Sequence, residues 1–592
     1  MQNHTFKTKM SVFVSTLALT TIAATGVSAV APHTAHAAGE TKSQIAQQLA
    51  PKKANYGYYV DSYQKNVKDN DKPGTNPGID IFDNTFLQYW SPANGGKKLD
   101  PNILQQNLDK SIAITKKRNQ DETVRSYLTD RRDLRYNLIS GLGPYANAFI
   151  KNAAAQTDYN DYPSTPLPGN TPYSSMTWAD ENSKLGDLVK LVNLTENSDW
   201  SGTGTPKSYI QFTRPYRQSD QVSVNPALKN VMANAKANDF DFPSGHTTAA
   251  FETGETLAYA LPQRFQQLIT RSSEVGYDRV LAGRHSPLAV MGGRVIGTAI
   301  TASVLNDKNN SDLLKQAASE AQSKLLAKST DKTSKDDFSS YQKNRADYRY
   351  RLTYGFKATG DTNKPMVVPK GAEVLLKTRL PYLNDSQRRE VLYTTGLPSG
   401  YPMTGDTEGW GRLDLFSAAN GYGAFLGNTT INMDASKGGF NAKDTFMNNI
   451  YGKGSLTKDG SGSLTLAGKN SFSGGTTVKD GSLVITNNSG LGNGDVKLND
   501  GTLKVDTSKA VVKGNFKQAN KASLTLDAND SLTINDNAKL GGTLSINPTH
   551  LKAGHYLLKA DHLTGKFAKV HFDGHKGWTI QYTKHGVKLA TK

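Results

Sequence analysis

Residues 243–246 read Pro-Ser-Gly-His, and the stretch Thr247 to Ala260 follows them directly. Small and apolar residues recur there at intervals of three and four, which predicts a helix that ends before Pro262. The start of a helix presents unpaired backbone N–H groups and the positive end of the helix dipole. Gly245 lets the backbone approach a ligand closely. The stretch therefore predicts a helix start that can bind an oxyanion.

A second stretch, residues 283–287, reads Gly-Arg-His-Ser-Pro and repeats this arrangement, with Ser286 as the predicted N-cap of another helix. Apart from the two ends of the chain, the sequence contains two histidines, His246 and His285, and each lies in one of these stretches. Histidine is the side chain best suited to acid/base and nucleophilic chemistry near neutral pH. The placement therefore predicts that the two histidines act as a pair.

Three basic residues stand at fixed distances from these stretches. Lys207 and Arg214 are separated by six residues, and Arg279 lies six residues before His285. Among 70 lysines and arginines any one of them would be an ordinary surface charge. Together they can neutralise a bound dianion and the charge of its transition state.

In this order, Lys-x6-Arg-Pro, Pro-Ser-Gly-His and Arg-x5-His resemble the signature of the phosphatidic acid phosphatase type 2 superfamily, with a motif core at 207–297. That family includes soluble non-specific acid phosphatases and vanadium haloperoxidases. The resemblance implies that His285 attacks phosphorus and that His246 protonates the leaving group. It implies no metal or other cofactor, although vanadate fits the phosphate site. It also implies a set of phosphate-binding residues, namely Lys207, Arg214, Ser244, Gly245 and Arg279.

The sequence departs from the family pattern at the residue four positions after His285. The family has an aspartate there, and this chain has Ala289. Loss of an equivalent carboxylate in the serine-protease triad costs on the order of 10⁴ in turnover. Three explanations stay open: another carboxylate such as Asp278 or Glu274 replaces it, a backbone carbonyl holds the imidazole, or the protein is a slow or phosphate-binding variant.

The rest of the first part of the chain also has helical periodicity. Stretches such as Asp130 to Ile150 and Asp312 to Leu326 predict helices, and a loop rich in Pro, Ser, Thr and Gly runs from Asp158 to Ser175. We therefore predict an all-α helical-bundle phosphatase domain over residues 38–435.

Residues 436–592 have a different sequence pattern, in which short segments of alternating apolar and polar residues are separated by Gly, Asn and Asp. A strand with inward residues two apart, recurring about every 20 residues, is typical of a β-solenoid. The recurring leucines are Leu464, Leu483, Leu503, Leu524 and Leu544. Residues 468–478 resemble the autotransporter-associated β-strand repeat, and the resemblance covers Gly454 to Asn547. A β-sandwich with accidental periodicity is the alternative.

The N-terminus has the features of a signal peptide, residues 1–37: a basic start, an apolar stretch and the site Ala35-His36-Ala37. No integral membrane span is expected in the mature chain, since the most apolar later stretch, Leu288 to Leu305, contains Arg294. The chain has no cysteine, which excludes disulfides and cysteine nucleophiles. A secreted protein, with cell-wall or surface association, is the expectation.

The net charge of +18 favours anionic partners. We expect soluble phosphate esters at the motif core and anionic cell-wall polymers on the basic C-terminal domain. No nucleic acid is expected, because no basic run is interleaved with aromatic residues. The leading prediction is an exported phosphatase that hydrolyses phosphomonoesters through a phosphohistidine. The alternatives are a vanadate-dependent haloperoxidase and a catalytically weak adhesion protein of the cell surface.

Overall fold

The computed structural model describes residues 40–326, 335–547 and 549–592. The predicted signal peptide, residues 1–37, lies outside the described residues. The first part of the chain is helical. Its helices of seven residues or more are α1 (Lys42–Gln48), α2 (Pro101–Lys117), α3 (Gln120–Arg131), α4 (Ala146–Ala153), α5 (Gly186–Glu196), α6 (Gly204–Ile210), α7 (Gly245–Ala260), α8 (Phe265–Leu281), α9 (Pro287–Asn306), α10 (Ser311–Glu320), α11 (Tyr341–Thr353) and α12 (Asp385–Thr395). Shorter helices are Tyr59–Ser62, Pro77–Asp80, Pro215–Gln218, Lys229–Ala233, Leu415–Ala418 and Gly439–Ala442.

Helices α7, α8 and α9 pack against one another and form the centre of the helical domain. Glycines let α9 approach α7 closely. A Cβ atom at Gly293 would lie 2.6 Å from the carbonyl oxygen of Ser244, and one at Gly297 would lie 2.7 Å from that of Thr248. Helix α9 is long and apolar enough to cross a membrane, but its residues from Pro287 to Leu305 are all buried inside the protein. The core of the bundle is therefore built around the two helices that carry the histidine motifs.

The predicted helix from Asp130 to Ile150 is wrong as a single element. Helix α3 ends at Arg131, and a 3₁₀ segment, Tyr136–Tyr145, precedes α4. The break has a local cause, because Gly143 has a φ of 54° and Pro144 has no N–H to donate. The predicted helix from Asp312 to Leu326 is confirmed as α10 and a π-helical turn, Ala321–Leu326.

The second part of the chain is a β-solenoid of mainly parallel strands in two sheets. The seven-stranded sheet contains Lys443–Phe446, Ser463–Leu466, Ser482–Ile485, Thr502–Val505, Ser523–Asp527, Thr543–Asn547 and Lys569–Phe572. The other sheet contains Thr429–Asn432, Leu456–Asp459, Thr476–Val478, Val496–Leu498, Ala510–Val512, Phe516–Gln518, Leu532–Leu540, Tyr556–Gly565, Trp578–Thr583 and Gly586–Thr591. Its last strand, Gly586–Thr591, pairs antiparallel with Tyr556–Gly565 at the end of the stack and also with Trp578–Thr583.

The predicted leucine repeat is confirmed by the strand register. Leu483 pairs with Leu464 on one side and with Leu503 on the other. Leu524 continues the row and pairs with Leu544. All five are at most 1% exposed, so each rung stacks its leucine on the next.

The solenoid is joined directly to the helical domain. Its first strand, Thr429–Asn432, begins a few residues before the predicted boundary at 436. Arg379 donates to both carboxylate oxygens of Asp444, at 2.6 and 3.0 Å, and the Tyr382 hydroxyl donates to the same carboxylate at 2.6 Å. Phe446 lies against Tyr422 in the buried core that both parts share. The two parts therefore share one apolar core.

Candidate active site

The two predicted helix starts meet in the centre of the helical domain. Ser244 is the N-cap of α7, and its hydroxyl accepts from the backbone N–H of Thr247 at 3.4 Å. Ser286 is the N-cap residue of α9, with Pro287 at the first helical position, as predicted. The backbone N–H of Ser244 donates to the carbonyl oxygen of Ala289 at 2.9 Å. This hydrogen bond holds the starts of α7 and α9 next to each other, so the positive ends of both helix dipoles act on the same pocket.

His285 is held by a carboxylate from another part of the sequence. Its Nδ1 lies 2.9 Å from Oδ1 of Asp241. The same Oδ1 accepts from the backbone N–H of Ser286 at 3.1 Å, and Oδ2 accepts from the Ser286 hydroxyl at 2.5 Å. The Ser286 hydroxyl, which was predicted to cap α9, therefore fixes Asp241 instead.

The contacts of His285 determine which of its nitrogens carries the proton. Its Nε2 lies 2.9 Å from Nη1 of Arg214. A guanidinium group can only donate, so Nε2 accepts this hydrogen bond. The proton is then on Nδ1, which donates to Asp241. This tautomer leaves a lone pair on the nitrogen that faces the cations, as a nucleophilic imidazole requires.

Burial and neighbouring charges set the ionisation of this pair. Burial raises the pKa of Asp241 to about 6, although the hydrogen bond from Ser286 opposes the shift. Burial, together with the charges of Arg214 and Lys207, lowers the pKa of His285 well below its usual value. Near neutral pH the carboxyl group is therefore mostly ionised and the imidazole is neutral.

Arg214 and Lys207 lie on the other side of His285. Arg214 donates to Oδ1 of Asp239 at 2.5 Å and to the carbonyl oxygen of Arg284 at 2.8 Å. Burial opposes ionisation of Asp239, but Arg214 outweighs it and the pKa of that carboxyl is lowered. Burial and the nearby charge of Arg214 lower the pKa of Lys207 to about 7. A bound anion would favour the charged lysine.

A single buried carboxylate, Asp130, organises the remaining cations. Its Oδ1 accepts from Arg279 Nη1 at 2.5 Å and from Arg284 Nε at 2.9 Å. Its Oδ2 accepts from Arg131 Nε at 2.9 Å. Burial alone would raise the pKa of Asp130, but Arg284 and Arg279 hold it well below the usual range. The side chain therefore holds three guanidinium groups beside the pocket.

The charges of this cluster do not balance. The cationic side chains are Arg131, Lys207, Arg214, Arg279 and Arg284, and the carboxylates are Asp130, Asp239 and Asp241. With all of them ionised and both histidines neutral, five positive charges face three negative ones. The excess of two matches the charge of a phosphate monoester dianion.

His246 lies on the first turn of α7, directly after Gly245. Within the parts of the chain that the structure describes, its buried Nε2 has no hydrogen-bond partner. Burial and the charge of Arg279 lower its pKa well below the usual value. His246 and His285 are close enough for the charge of one to affect the pKa of the other. The open Nε2 is therefore available to a group bound between the two imidazoles.

Residues 192–312 match the family model described as PAP2 superfamily, and this range contains every motif of the pocket. This part of the chain is a PAP2 superfamily domain. The chain is 30% identical over 136 residues to the non-specific acid phosphatase of Salmonella typhi, across 20% of this chain and 53% of that protein. It is 29% identical to the same-named protein of Salmonella typhimurium over 136 residues, with the same shares.

The chain also has similarities of a different kind. Residues 456–485 match the family model described as passenger-associated-transport-repeat. The chain is 27% identical over 233 residues to the autotransporter lipoprotein of Neisseria meningitidis, across 36% of this chain and 21% of that protein. Over 173 residues it is 28% identical to an extracellular serine protease of Serratia marcescens, across 24% of this chain and 16% of that one. Both resemblances seen in the sequence are confirmed, although the chain spans only about half of the phosphatases and about a fifth of the autotransporter.

The PAP2 domain brings the predicted site residues to one pocket, but it does not use the carboxylates that the sequence suggested. Asp278 accepts from Arg125 at 2.7 Å and from the Thr129 hydroxyl at 2.8 Å. Glu274 accepts from Arg271 at 2.7 Å. Neither contacts His285. The carboxylate that contacts His285 is that of Asp241, which none of the three explanations named.

Sequence reasoning also missed most of the ion pairs around the PAP2 motifs. Asp241 lies two residues before Pro243, and Arg284 lies directly before His285. Their positions next to the motifs could have identified both as candidate site residues. Asp130 offered no such signal, because it lies 149 residues before Arg279, its partner. Only the packing of α3 against α8 brings these two side chains together.

Proposed function

We propose that the PAP2 domain hydrolyses phosphate monoesters, with His285 as the nucleophile and His246 as the general acid. The observation that carries the proposal is the position of the His285 ring, with Nδ1 2.9 Å from Asp241 and Nε2 2.9 Å from Arg214, which favours the Nδ1–H tautomer. The names of the Salmonella relatives, non-specific acid phosphatases, support the same chemistry. A phosphate dianion also restores charge balance to the pocket.

In the first step, Nε2 of His285 attacks phosphorus and the ester P–O bond breaks. The leaving alkoxide takes its proton from Nε2 of His246. A bound dianion favours the protonated form of His246, which burial and Arg279 otherwise disfavour. In the second step, His246 takes a proton from water, the oxygen of which attacks the phosphohistidine. Inorganic phosphate leaves and both imidazoles return to their starting states.

Lys207, Arg214 and Arg279, with Ser244 and the N–H of Gly245, hold the phosphoryl oxygens in this proposal. Both helix starts add their positive ends to the same place. All of the proposed steps are carried by side chains and backbone groups of this chain. Asp241 supplies the support behind His285 that Ala289 does not, so we expect ordinary rather than weakened turnover.

Release of phosphate from phenyl phosphate tests the proposal. The His285→Ala variant should lose activity by at least about 10³-fold, because it removes the proposed nucleophile. His571→Ala, which changes an exposed histidine of the solenoid, is the matched control and should keep full activity. Unchanged phosphate release by His285→Ala would overturn the mechanism.

The same preparation distinguishes the alternative, vanadate-dependent halide oxidation. Vanadate should act only as a competitive inhibitor of phosphate release, because it occupies the site of the phosphoryl group. Oxidation of bromide by peroxide after vanadate is added, without phosphate release from phenyl phosphate, would support the haloperoxidase instead.

We infer that the protein is secreted or held at the cell surface. The similarity to an autotransporter and to an extracellular protease supports this location. A tagged chain should be recovered from the medium or the cell envelope after fractionation. Recovery in the cytoplasmic fraction alone would contradict the inference.

A row of lysines supports a second, binding function for the solenoid. Lys497, Lys517 and Lys539 pair in register on three successive strands. All three are exposed, and neighbouring strands lie about 4.8 Å apart. Among the described residues none of the three forms an ion pair. Like charges placed directly opposite each other are unfavourable without a counter-charge, so the row favours a ligand with regularly spaced anions.

We propose that this lysine row binds a linear anionic polymer of the cell wall. One carboxylate, Asp495, borders the row and accepts from the backbone N–H of Asn515 at 2.8 Å. Retention of the full chain on immobilised polyphosphate provides the test. Replacing the three lysines by glutamine should abolish retention at low salt, since the contact is electrostatic. The same exchange at Lys469, Lys552 and Lys576, which are exposed and scattered, is the control for net charge. Equal loss in both triple variants would contradict a specific site.

A further inference from the structure

Tyr173 is an exposed aromatic residue at the mouth of the PAP2 pocket. It is 50% exposed and lies in the loop between α4 and α5. Its ring centroid is 5.8 Å from that of His246, with an angle of 54° between the planes. The guanidinium carbon of Arg131 lies 4.2 Å from the centre of the Tyr173 ring. One part of the ring is thus fixed against the pocket and another part is open to solvent.

The loop that carries Tyr173 is held in place by hydrogen bonds on both sides of the residue. Arg131 Nη1 donates to the carbonyl oxygens of Thr171 and Pro172, at 3.1 and 3.3 Å. The backbone N–H of Ser174 donates to the carbonyl oxygen of Arg131 at 2.9 Å. The hydroxyl of Tyr159 donates to the carbonyl oxygen of Pro172 at 2.7 Å. An exposed aromatic side chain on a braced loop is preorganised to contact a ligand.

Two buried polar atoms beside the ring have no partner within the described residues. They are Nη2 of Arg131, whose side chain is 1% exposed, and Nε2 of His246. Buried donors and acceptors in native proteins are nearly always paired, by protein, water or ligand. Their position beside Tyr173 indicates that a polar part of the substrate, such as the ester oxygen, enters here.

We propose that Tyr173 forms a leaving-group subsite for planar aromatic alcohols, so that aryl and arylmethyl monophosphates are the preferred substrate class. The inference rests on the proposed function, because His246 protonates the leaving oxygen and the leaving group therefore lies on the side of His246. A planar ring bonded to that oxygen, directly or through one carbon, reaches the face of Tyr173. Offset stacking on an aromatic face favours a planar ring over a saturated one.

A pair of esters with similar leaving groups provides the test. Benzyl phosphate and cyclohexylmethyl phosphate differ in the planarity of the ring and little in the acidity of the alcohol. Wild type should prefer the benzyl ester in kcat/KM by about three- to tenfold. Tyr173→Ala should abolish the preference, Tyr173→Phe should keep it, and Tyr173→Leu should lose it although bulk remains. An unchanged preference in Tyr173→Ala, or no preference in wild type, would overturn the proposal.

Binding of the matching phosphonates separates this inference from the catalytic one. Benzylphosphonate and cyclohexylmethylphosphonate cannot be hydrolysed at a P–O ester bond, so their affinities report on the subsite alone. Calorimetry should give a tighter Kd for benzylphosphonate in wild type and equal values in Tyr173→Ala. If neither ester is hydrolysed but the phosphonates show this pattern, the proposed phosphatase function fails and the subsite stands. Equal phosphonate affinities in wild type would contradict the subsite whatever the activity.

Discussion

The PAP2 domain and the solenoid use their buried residues in opposite ways. In the PAP2 domain and the helix α3 that packs against it, side chains such as Asp241 and Asp130 make contacts that occur once and join distant parts of the sequence. In the solenoid, Leu503 makes the same contact with the rung before and the rung after it. A change in the first region should therefore remove a function that no neighbour supplies. A change in the second should remove packing and leave the chemistry intact.

The largest expected effect is at Asp241. The Asp241→Asn variant keeps the size of the side chain but removes the charge that holds Nδ1–H of His285, so the wrong tautomer becomes available. We expect kcat for phenyl phosphate to fall by about 10³- to 10⁴-fold, as in the analogous serine-protease change. Thermal unfolding of the same sample controls for folding. A fall of less than tenfold would mean that Asp241 does not position the nucleophile.

Asp130 should contribute to stability as well as to activity. Asp130→Ala leaves three guanidinium groups, those of Arg131, Arg279 and Arg284, buried without their counter-charge. Breaking a buried ion pair in this way costs about 3–5 kcal/mol. Denaturant unfolding should show a loss of this size, and phosphate release should fall with it. Asp133→Ala, near the same helix end but only partly buried, is the matched control and should cost far less.

The Leu503→Ala variant tests the prediction for the solenoid. Leu503 is fully buried between Leu483 and Leu524, so truncation leaves a cavity in the stack. The expected loss of unfolding free energy is about 2–5 kcal/mol. At a temperature where the variant is folded, kcat for phenyl phosphate should match wild type. A large fall in kcat would show that the solenoid supports the active site directly.

Moving the carboxylate should restore part of the activity. Ala289 is fully buried in the first turn of α9, where the family aspartate would stand. In the Asp241→Ala/Ala289→Asp double variant we expect kcat to rise about ten- to a hundredfold above Asp241→Ala. Ala289→Asp alone should not increase turnover, because it buries a second carboxylate where one already serves His285. Faster turnover in that single variant would contradict the assignment of Asp241.

The smallest effect concerns stability at alkaline pH. Burial raises the pKa of Glu255 from 4.5 to about 8. The stability that this shift confers is present below the unfolded pKa, near 4.5, and is lost as the pH rises through 8. Glu255→Gln still accepts from the Thr298 hydroxyl, which lies 2.7 Å from Oε1 in wild type, and it cannot ionise. The variant should therefore exceed wild type by about 1–2 kcal/mol at pH ~9 in denaturant unfolding. Lower stability of the variant at that pH would contradict the buried neutral acid.

The comparison also explains what could be predicted from the sequence. The solenoid was predictable because each rung repeats its neighbour, so that the spacing of Leu464, Leu483 and Leu503 determined the strand register. The two helix starts were predictable because Ser244 caps α7 and Pro287 occupies the first position of α9, as local rules for helix ends expect.

The support behind the nucleophile could not be predicted in the same way. Asp241 reaches His285 across 44 residues of sequence, through the packing of α7 against α9. Glu274 and Asp278 were nearer to His285 along the chain, but Glu274 pairs with Arg271 on α8 itself and Asp278 pairs with Arg125 on α3. Periodicity likewise overlooked the helix break at Gly143, because apolar residues continue across it. Local sequence patterns predict helices and strands. The partners of buried charged side chains are set by tertiary packing.

Detection of the covalent intermediate tests the central claim most directly. The His246→Ala variant lacks both the general acid and the base for the second step, and 4-nitrophenyl phosphate needs no acid to leave. After reaction and an alkaline quench, mass spectrometry of this variant should find one phosphoryl group on the peptide that contains His285, and none when Asp241→Asn is added. Release of 4-nitrophenol without phosphorylation of His285, or with phosphate on another residue, would contradict the account.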